Sequence, residues 1–346
     1  MKIRQLETAR ALAAFLVLLF HAETTLQLEK YFGAPTFGAL VAGNSGVQIF
    51  FVISGLIMYV VHRDDAEGSL AALAAFARKR FLRLYPPLWI VLSIVFPIIW
   101  SNVFASNAGL WDYVAAYLVL PAESEKMLAV EWTLKHEILF YALFALYLFH
   151  RRFGLALLLA WGVLGSIAAP FGDRGWFLAF LFNTNHLLFL LGMLLGRLYL
   201  DDRWWRLPIG LSAAVGLVLF TATWIAVWHG YRDEHVTNLG YGFGTFLVFA
   251  DALRLRTYRS PPFVELLGAA SYALYLTHYP IVSLLCKIYR RTGYIDLFAV
   301  RLSYFVVTIV VCLAVAILFH LKVEAPLQRR LSAAWKAPRR TGPAPA

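Results

Sequence analysis

Arg10 and His21 are the first and last residues of the segment RALAAFLVLLFH. Their side chains and their spacing are suited to catalysis. They are eleven residues apart, so in a helix they share one face and lie about 16 Å apart along the axis. A charged or titratable side chain costs at least ~2.5 kcal/mol near the centre of a membrane-spanning helix, so it usually faces a cavity or a partner. Imidazole titrates near neutral pH, which suits a general base. We therefore predict a functional site on this helix face.

Both residues also have a structural interpretation. Arg10 is near one end of its segment, from which a guanidinium group can reach the membrane surface. A buried histidine can simply hydrogen-bond a neighbouring carbonyl group. His21 lies too far into the segment to reach the surface, which favours catalysis for that residue. Glu7 is three residues before Arg10 and is expected to pair with it.

A second candidate site is the basic segment FARKRFLRLYPPLW, residues 76–89. Arg80 and Arg83 are three residues apart and share one helix face, where two guanidinium groups suit the phosphates of a cytoplasmic donor. The same charges can also serve only to keep the segment on the cytoplasmic side of a membrane.

Two further titratable residues lie within apolar segments. Glu137 falls about 9 Å below the outer end of its segment, and His278 lies in GAASYALYLTHYP. Counted at 1.5 Å per residue, His21, His278 and Glu137 reach the same depth, about 21–22 Å from the inner boundary. We therefore expect the three to lie together, with Glu137 or another carboxylate fixing the tautomer of His21.

The segment GNSGVQIFFVISGLIMYVV, residues 43–61, contains small and polar side chains. Gly46 and Gly55 are interpreted as sites of close helix packing. Ser54 is a poor candidate nucleophile, because no G-x-S-x-G motif surrounds it.

The elements that must position these residues are membrane helices. Of the 346 residues, 61% are hydrophobic and only 15% are charged, whereas a soluble domain is roughly 45–50% apolar. Runs of about 20 apolar residues match the thickness of a bilayer core. We predict an all-α, polytopic membrane protein with about ten spans, at residues 6–28, 45–62, 84–104, 131–150, 153–170, 176–198, 207–228, 238–253, 263–289 and 295–320.

The positive-inside rule sets the predicted orientation. Alternating insertion with a cytoplasmic N-terminus puts most of the 31 lysine and arginine residues inside, so both termini are expected in the cytoplasm. The net charge of +11 then requires no nucleic acid partner. We predict one transmembrane domain over residues 1–335, without a cleaved signal peptide, and a disordered basic cytoplasmic tail over 336–346.

Six ordered motifs together resemble the membrane-bound acyltransferase-3 family. They cover nearly the whole chain: R-x10-H at Arg10 and His21, G-V-x-x-F-F-V-x-S-G at 46–55, R-x-x-R at Arg80 and Arg83, W-x-L-x-x-E-x-x-F-Y at 132–141, S-Y-x-x-Y-x-x-H-x-P at 271–280, and V-E-x-P at 323–326. Some relatives carry an appended esterase-like domain, and we expect none here. This sequence has Gln48 where relatives often have an acidic residue, so that position is given no catalytic role.

The resemblance implies a ten-helix enzyme of the bacterial inner membrane. Such an enzyme transfers an acyl group, commonly acetyl, from cytoplasmic acyl-coenzyme A to a hydroxyl group of an extracytoplasmic carbohydrate, such as exopolysaccharide or lipopolysaccharide. The implied partners are acyl-coenzyme A, the carbohydrate acceptor and the lipid bilayer, with no metal and no bound cofactor. The implied site residues are His21, Arg10 and Glu137 in catalysis, Arg80 and Arg83 in donor binding, and Ser54, Tyr272, Tyr275, His278 and Glu324 in support.

Several interpretations remain open from the sequence. The nearest alternative is an acyltransferase that acts on a small hydrophobic acceptor of the macrolide type. A transporter of lipid-linked sugars would also contain polar residues in the membrane, but the chain has no half-to-half repeat. A membrane scaffold would tolerate the loss of His21. For Glu324, an ion pair with a nearby arginine is an alternative to a catalytic role. The sequence leaves open whether the acyl group passes through a covalent enzyme intermediate.

Overall fold

The computed structural model describes residues 3–100, 108–123, 125–168, 175–201, 208–294 and 297–336. Within these ranges the chain is helical and contains no strand, as the composition predicts. The α-helices of the described ranges are α1 Arg4–Leu26, α2 Ser45–His62, α3 Leu70–Trp100, α4 Leu110–Leu118, α5 Glu131–Phe149, α6 Arg151–Ala168, α7 Gly175–Leu181, α8 Asn185–Asp201, α9 Leu211–Trp228, α10 Glu234–Ala252, α11 Pro262–Ala269, α12 Ser271–Arg290, α13 Phe298–Phe319 and α14 Ala325–Lys336.

Seven helical segments of the described chain are long and apolar enough to cross a membrane. Three of the ten predicted spans, those that correspond to α5, α10 and α11 with α12, are not among them. These helices carry many interior polar residues, such as Lys135, Glu137 and His278, which lower their mean hydropathy. The chain thus has the helices of a multi-pass membrane protein. The seven segments are Arg4–Leu26, Ala39–His62, Leu70–Ile99, Arg151–Ala168, Gly175–Asp201, Leu211–Trp228 and Phe298–Trp335.

The basic segment belongs to a longer helix than the sequence predicts. The third span was expected to begin at residue 84, but α3 begins at Leu70 and continues through Pro86 and Pro87. A proline inside a helix frees a carbonyl group of the preceding turn. Pro86 and Pro87 therefore leave the carbonyls of Leu82 and Arg83 without their helical donors, and the Tyr272 hydroxyl donates to the next carbonyl, that of Leu84, at 2.7 Å. The arginines of residues 76–89 thus lie on the same helix as the third predicted span.

Two predicted spans are each divided into two helices. Residues 176–198 form α7 and α8, separated at 182–184, where the Asn183 side chain accepts a hydrogen bond from the Asn185 amide at 2.9 Å. Residues 263–289 form α11 and α12, with a break at Ala270. The first break lies at the outer cavity described below. A new helix starts there because an asparagine side chain caps its first turn.

Glycine allows α2 to pack closely on two neighbours. A Cβ atom at Gly55 would lie 1.9 Å from the Phe189 carbonyl oxygen of α8, and one at Gly46 would lie 2.2 Å from the Ala13 carbonyl oxygen of α1. No larger residue fits at either crossing. The packing interpretation of Gly46 and Gly55 is therefore confirmed, and these crossings fix α2 between α1 and α8.

The C-terminal end of the described chain returns to the basic part of α3. Helix α13 continues through a π-helical turn, His320–Glu324, into α14. Helix α14 packs against α3, and the Trp335 ring lies 5.8 Å from the Arg78 guanidinium carbon. The predicted tail falls outside the described residues, apart from Lys336 at the end of α14.

Candidate active site

Two cavities lie between the helices and share two lining residues, Val47 and Tyr275. We call the cavity nearer the N-terminal half of α1 the inner cavity and the other the outer cavity. The inner cavity has a volume of about 70 Å³ and is lined by Arg10, Val47, Phe50, Phe51, Ile53, Ser54, Arg83, Leu84, Thr133, Leu134, Glu137, Ser271, Tyr272 and Tyr275. The outer cavity has a volume of about 410 Å³ and is lined by Val17, Phe20, His21, Asn44, Val47, Gln48, Val130, Trp132, Asn183, Asn185, Glu234, Thr237, Asn238 and Tyr275.

His21 and His278 lie together, as their predicted depths require. The His21 Nδ1 atom is 3.1 Å from His278 Nε2 and 3.0 Å from the Val17 carbonyl oxygen. His278 is almost fully buried, and its Nδ1 atom lies 2.8 Å from the Leu274 carbonyl oxygen. His21 therefore lines the outer cavity with His278 directly behind it.

The hydrogen bonds define one consistent pair of neutral tautomers. A carbonyl oxygen only accepts, so His278 Nδ1 must donate to Leu274. In a neutral ring this leaves His278 Nε2 as an acceptor, and His21 Nδ1 must then donate to it and to Val17. The remaining nitrogen of His21, Nε2, has no hydrogen-bond partner among the described residues. His21 thus carries an unprotonated nitrogen in a ring that borders the outer cavity, which is the arrangement of a general base.

Arg10 lies in the inner cavity, so the two residues of the first motif are separated. Its guanidinium Nη1 is 3.9 Å from the Glu7 carboxylate, as the spacing predicts, and Arg83 of α3 lines the same cavity. Two arginines and one carboxyl group, that of Glu137, therefore line this small space, and the excess of positive groups would stabilise an anion or a developing negative charge.

Glu137 does not contact His21, contrary to the expectation that it fixes the histidine tautomer. It accepts hydrogen bonds from the Tyr141 hydroxyl and, at 3.3 Å, from the Ser54 hydroxyl in the inner cavity. The predicted depth was wrong, because Glu137 lies with Arg10 and Ser54 in the inner cavity and not at the level of His21. His278 occupies the position that was predicted for a carboxylate.

Arg80 and Arg83 do not form the predicted fork, although they are three residues apart. The Arg80 guanidinium Nη2 lies 3.4 Å from His62 Nε2, and its carbon lies 5.6 Å from the centre of the Tyr141 ring. His62 in turn contacts the Asp65 carboxylate at 2.7 Å. Arg80 is therefore held between α2 and α5, and only Arg83 lines the inner cavity.

Tyr275 forms the boundary between the two cavities. Its hydroxyl donates to the Val130 carbonyl at 2.6 Å and is also hydrogen-bonded to Thr133. Tyr272, one turn earlier, lines only the inner cavity. These contacts attach α12 to the start of α5 at the level where the cavities meet.

A third, cationic cleft lies between α3 and α14, with a volume of about 240 Å³. Arg83 lines both this cleft and the inner cavity, so the two spaces adjoin. Its lining residues are Arg78, Lys79, Leu82, Arg83, Gln328 and Ser332.

Glu324 lies in none of these three spaces. Its carboxylate is 2.8 Å from His320 Nδ1 and accepts a hydrogen bond of 3.4 Å from Gln328 Nε2. Its partner in the turn is thus a histidine rather than the arginine that the sequence suggested. By these contacts Glu324 orients Gln328, which lines the cationic cleft.

Sequence reasoning missed most of the outer cavity. Asn183, Asn185 and Asn238 received no role, although an amide near the end of an apolar segment is a detectable signal. Gln48 was noted but given no role. Among the described residues, no three histidine, cysteine, aspartate or glutamate side chains cluster so that they could hold a metal ion.

Residues 3–320 match the acyltransferase-3 family, described as an acyltransferase domain. The chain is also similar to the exopolysaccharide production protein ExoZ of Rhizobium meliloti (strain 1021), with 31% identity over 262 residues, which are 71% of this chain and 78% of that protein. No solved structure matches the chain significantly.

Proposed function

Because this chain belongs to the acyltransferase-3 family and is an acyltransferase, we propose that it transfers an acyl group, acetyl as the first candidate, from cytoplasmic acyl-coenzyme A to a hydroxyl group of an extracytoplasmic or lipid-linked carbohydrate. The observation that carries the proposal is that the cationic inner cavity and the histidine-bearing outer cavity meet at Val47 and Tyr275. A thioester at this boundary would lie beside a hydroxyl group held near His21. The relative that is named for exopolysaccharide production supports a polysaccharide acceptor.

The donor is proposed to enter through the cationic cleft. Arg78, Lys79 and Arg83 supply three positive groups for the phosphates of coenzyme A, and guanidinium groups suit phosphate well. Because Arg83 also lines the inner cavity, the pantetheine arm can continue from the cleft past Arg10 toward Tyr275. Arg80 keeps a supporting role, through its contacts with His62 and Tyr141.

The chemistry of the transfer follows from the tautomer of His21. Its Nε2 takes the proton of the acceptor hydroxyl while that oxygen attacks the thioester carbonyl carbon. The carbon–sulfur bond then breaks, and the coenzyme A thiolate takes the proton back from His21. The transient imidazolium is stabilised because its Nδ1–H already donates to the Val17 carbonyl and to His278. His278 is thus a positioning residue, and the proposed reaction requires no metal or bound cofactor.

The membrane arrangement is part of the same proposal. Ten crossings are proposed: α1, α2, α3, α5, α6, α7 with α8, α9, α10, α11 with α12, and α13. Both termini are then in the cytoplasm, on the side of the cationic cleft, in agreement with the positive-inside rule. The proposed location is the inner membrane.

The proposal is tested by replacing His21 with alanine. The wild type and the variant are purified in lipid nanodiscs and given radiolabelled acetyl-coenzyme A and surface glycans from cells that lack the gene. We expect the transfer to fall by 10²-fold or more, because a positioned base typically contributes 10²–10⁴-fold. His150→Ala is the matched control, because His150 is exposed and lines neither cavity. Transfer at the wild-type rate by His21→Ala would refute the proposed role.

Mass spectrometry of cell-surface glycans, with and without the gene, tests the acceptor. We expect loss of O-acyl groups when the gene is removed. An unchanged glycan pattern, together with His21-dependent consumption of acetyl-coenzyme A, would instead indicate a small hydrophobic acceptor.

A further inference from the structure

The outer cavity is rich in carboxamide side chains. Five amides from different helices and connecting segments face one space of about 410 Å³. A carboxamide both donates and accepts hydrogen bonds, so such a wall matches a ligand that carries many hydroxyl groups. The amides are those of Asn44, Gln48, Asn183, Asn185 and Asn238.

Three of these amides have a buried oxygen without a hydrogen-bond partner: Gln48 Oε1, Asn185 Oδ1 and Asn44 Oδ1. Gln48 and Asn185 are only 3% and 2% exposed. The Gln48 amide is held in place because its Nε2 donates to Asn238 Oδ1 at 2.6 Å. A buried unsatisfied acceptor typically costs about 1–3 kcal/mol, so these oxygens are suited to receive donors from a ligand.

The charges of the outer cavity differ from those of the inner cavity. Among the described residues its lining contains no lysine and no arginine, and the one carboxylate among them, Glu234, is exposed at the start of α10. A carboxylate or phosphate group placed there would lose its hydration without gaining a positive partner, which is unfavourable. An uncharged ligand with hydroxyl groups suffers no such loss.

The remaining walls suit the apolar face of a sugar ring. Trp132, Phe20 and Tyr275 line the same cavity as His21. Ligand sites commonly combine aromatic walls with a few placed polar groups. A ring that contacts these aromatic side chains and the amides would therefore have its hydroxyl groups near the unprotonated nitrogen of His21.

We propose that the outer cavity binds one uncharged glycosyl residue of the acceptor, and that Gln48, Asn185 and Asn238 select it against uronic acid and phosphorylated sugar residues. This inference rests on the proposed transfer to a carbohydrate and adds the class of sugar residue that is accepted.

The test measures ligand binding by the full chain in lipid nanodiscs, and saturation-transfer NMR detects the bound ligand. The probes are the methyl glycosides of glucose, galactose and mannose, each compared with its matching methyl uronide. We expect at least one neutral glycoside to bind, with an affinity at least about tenfold higher than its uronide. Equal or tighter binding of the uronides, or no binding of any neutral glycoside, would overturn the inference.

Variants connect the binding to the named residues. The double replacement Gln48→Leu and Asn238→Leu removes both partners of one hydrogen bond, so it leaves no new unpaired amide. We expect it to abolish glycoside binding, whereas Thr245→Val, on α10 but outside the cavity, should retain it. If the double variant fails to fold, the comparison of glycosides and uronides with the wild type still decides the matter.

The same glycosides, assayed for acetylation by acetyl-coenzyme A, separate this inference from the proposed function. Selective binding of a neutral glycoside without His21-dependent acetylation would support the binding site and refute the reaction. Equal acetylation of glycosides and uronides would support the reaction and refute the selectivity.

Discussion

The Nε2 atom of His278 lies 3.1 Å from the Nδ1 atom of His21, and this contact joins α12 to α1 beside the outer cavity. Because His278 Nδ1 donates to the Leu274 carbonyl, its other nitrogen can only accept, and His21 is held with Nε2 unprotonated. A histidine thus orients the proposed base, in the place where many enzymes have a carboxylate.

Replacing His278 with phenylalanine is expected to reduce kcat by about 10²-fold and to leave the KM for acetyl-coenzyme A nearly unchanged. The ring volume is retained, but His21 loses the acceptor that fixes its tautomer. Steady-state kinetics of the purified variant provides the measurement. His278→Gln offers a carbonyl acceptor and should restore part of kcat.

Thr277→Val is the matched control for this position. Thr277 is on the same helix, and its hydroxyl donates to the Ala273 carbonyl at 2.8 Å. Equal losses of kcat in Thr277→Val and His278→Phe would indicate that general disturbance of α12, rather than the histidine contact, causes the effect.

Ser54→Ala is expected to keep activity within about threefold of the wild type, because no histidine is hydrogen-bonded to its hydroxyl in the described chain and a carboxylate is a weak base for a serine nucleophile. Its hydroxyl donates to Glu137, so it supports the inner cavity. The second measurement is incubation with labelled acetyl-coenzyme A without acceptor, followed by denaturation and peptide mapping. A stable acyl group on Ser54 would contradict the expectation.

The joint replacement of Arg78 and Lys79 by alanine is expected to raise the KM for acetyl-coenzyme A by about tenfold, which corresponds to the loss of ~1.4 kcal/mol of binding. These side chains line the cationic cleft but not the inner cavity. The KM for S-acetylpantetheine, which lacks the nucleotide and its phosphates, should not change. Kinetics with the two donors side by side gives the comparison.

The control for the donor cleft is the joint replacement of Arg329 and Arg330 by alanine. Both are on α14, both are exposed and neither lines the cleft. These two replacements remove the same amount of positive charge from the same surface as the replacements of Arg78 and Lys79. An equal rise in KM would mean that general electrostatic attraction, and not the cleft, binds the donor.

Glu23→Ala is expected to lower the thermal stability of the protein by several degrees. One carboxylate oxygen of this buried residue accepts three backbone hydrogen bonds, from Thr36, Phe37 and Gly38, at 2.9, 3.0 and 2.8 Å. Hydrogen bonds to a charged group contribute about 1.5–3 kcal/mol each. Thermal unfolding in nanodiscs tests the expectation. Glu29→Ala, at an exposed position close by, should have little effect, and equal losses would refute the role of the three bonds.

The sequence was most informative where a single helix decides the outcome. The bilayer core holds no water for backbone groups, so only helices and closed barrels can span it, and runs of about 20 apolar residues favour helices. The 1.5 Å rise of a helix placed His21 and His278 at one level, and the two are in contact. Helix ends were less predictable, as the early start of α3 shows, because tertiary packing stabilised helix beyond the apolar segment.

The packing of helices against one another accounts for the errors in the site. Glu137 was expected at the level of His21, but it lies with Arg10 and Ser54 in the inner cavity, because the level of a residue also depends on how far α5 is offset along its neighbours. Arg80 and Arg83 share a helix face by spacing, yet Arg80 turns to His62 and only Arg83 reaches the inner cavity. Both the level of a residue relative to neighbouring helices and the direction that its side chain faces are properties of the assembly.

The sequence by itself determined that the chain is a membrane protein of the acyltransferase-3 family and that Arg10 and His21 lie on one helix face. Only the tertiary structure decided that these two residues border different cavities, that His278 orients His21, and that distant amides such as Gln48 and Asn238 meet. The reason is physical: hydropathy and helix periodicity are encoded locally, but a cavity is the space left between helices that pack through contacts far apart in the chain.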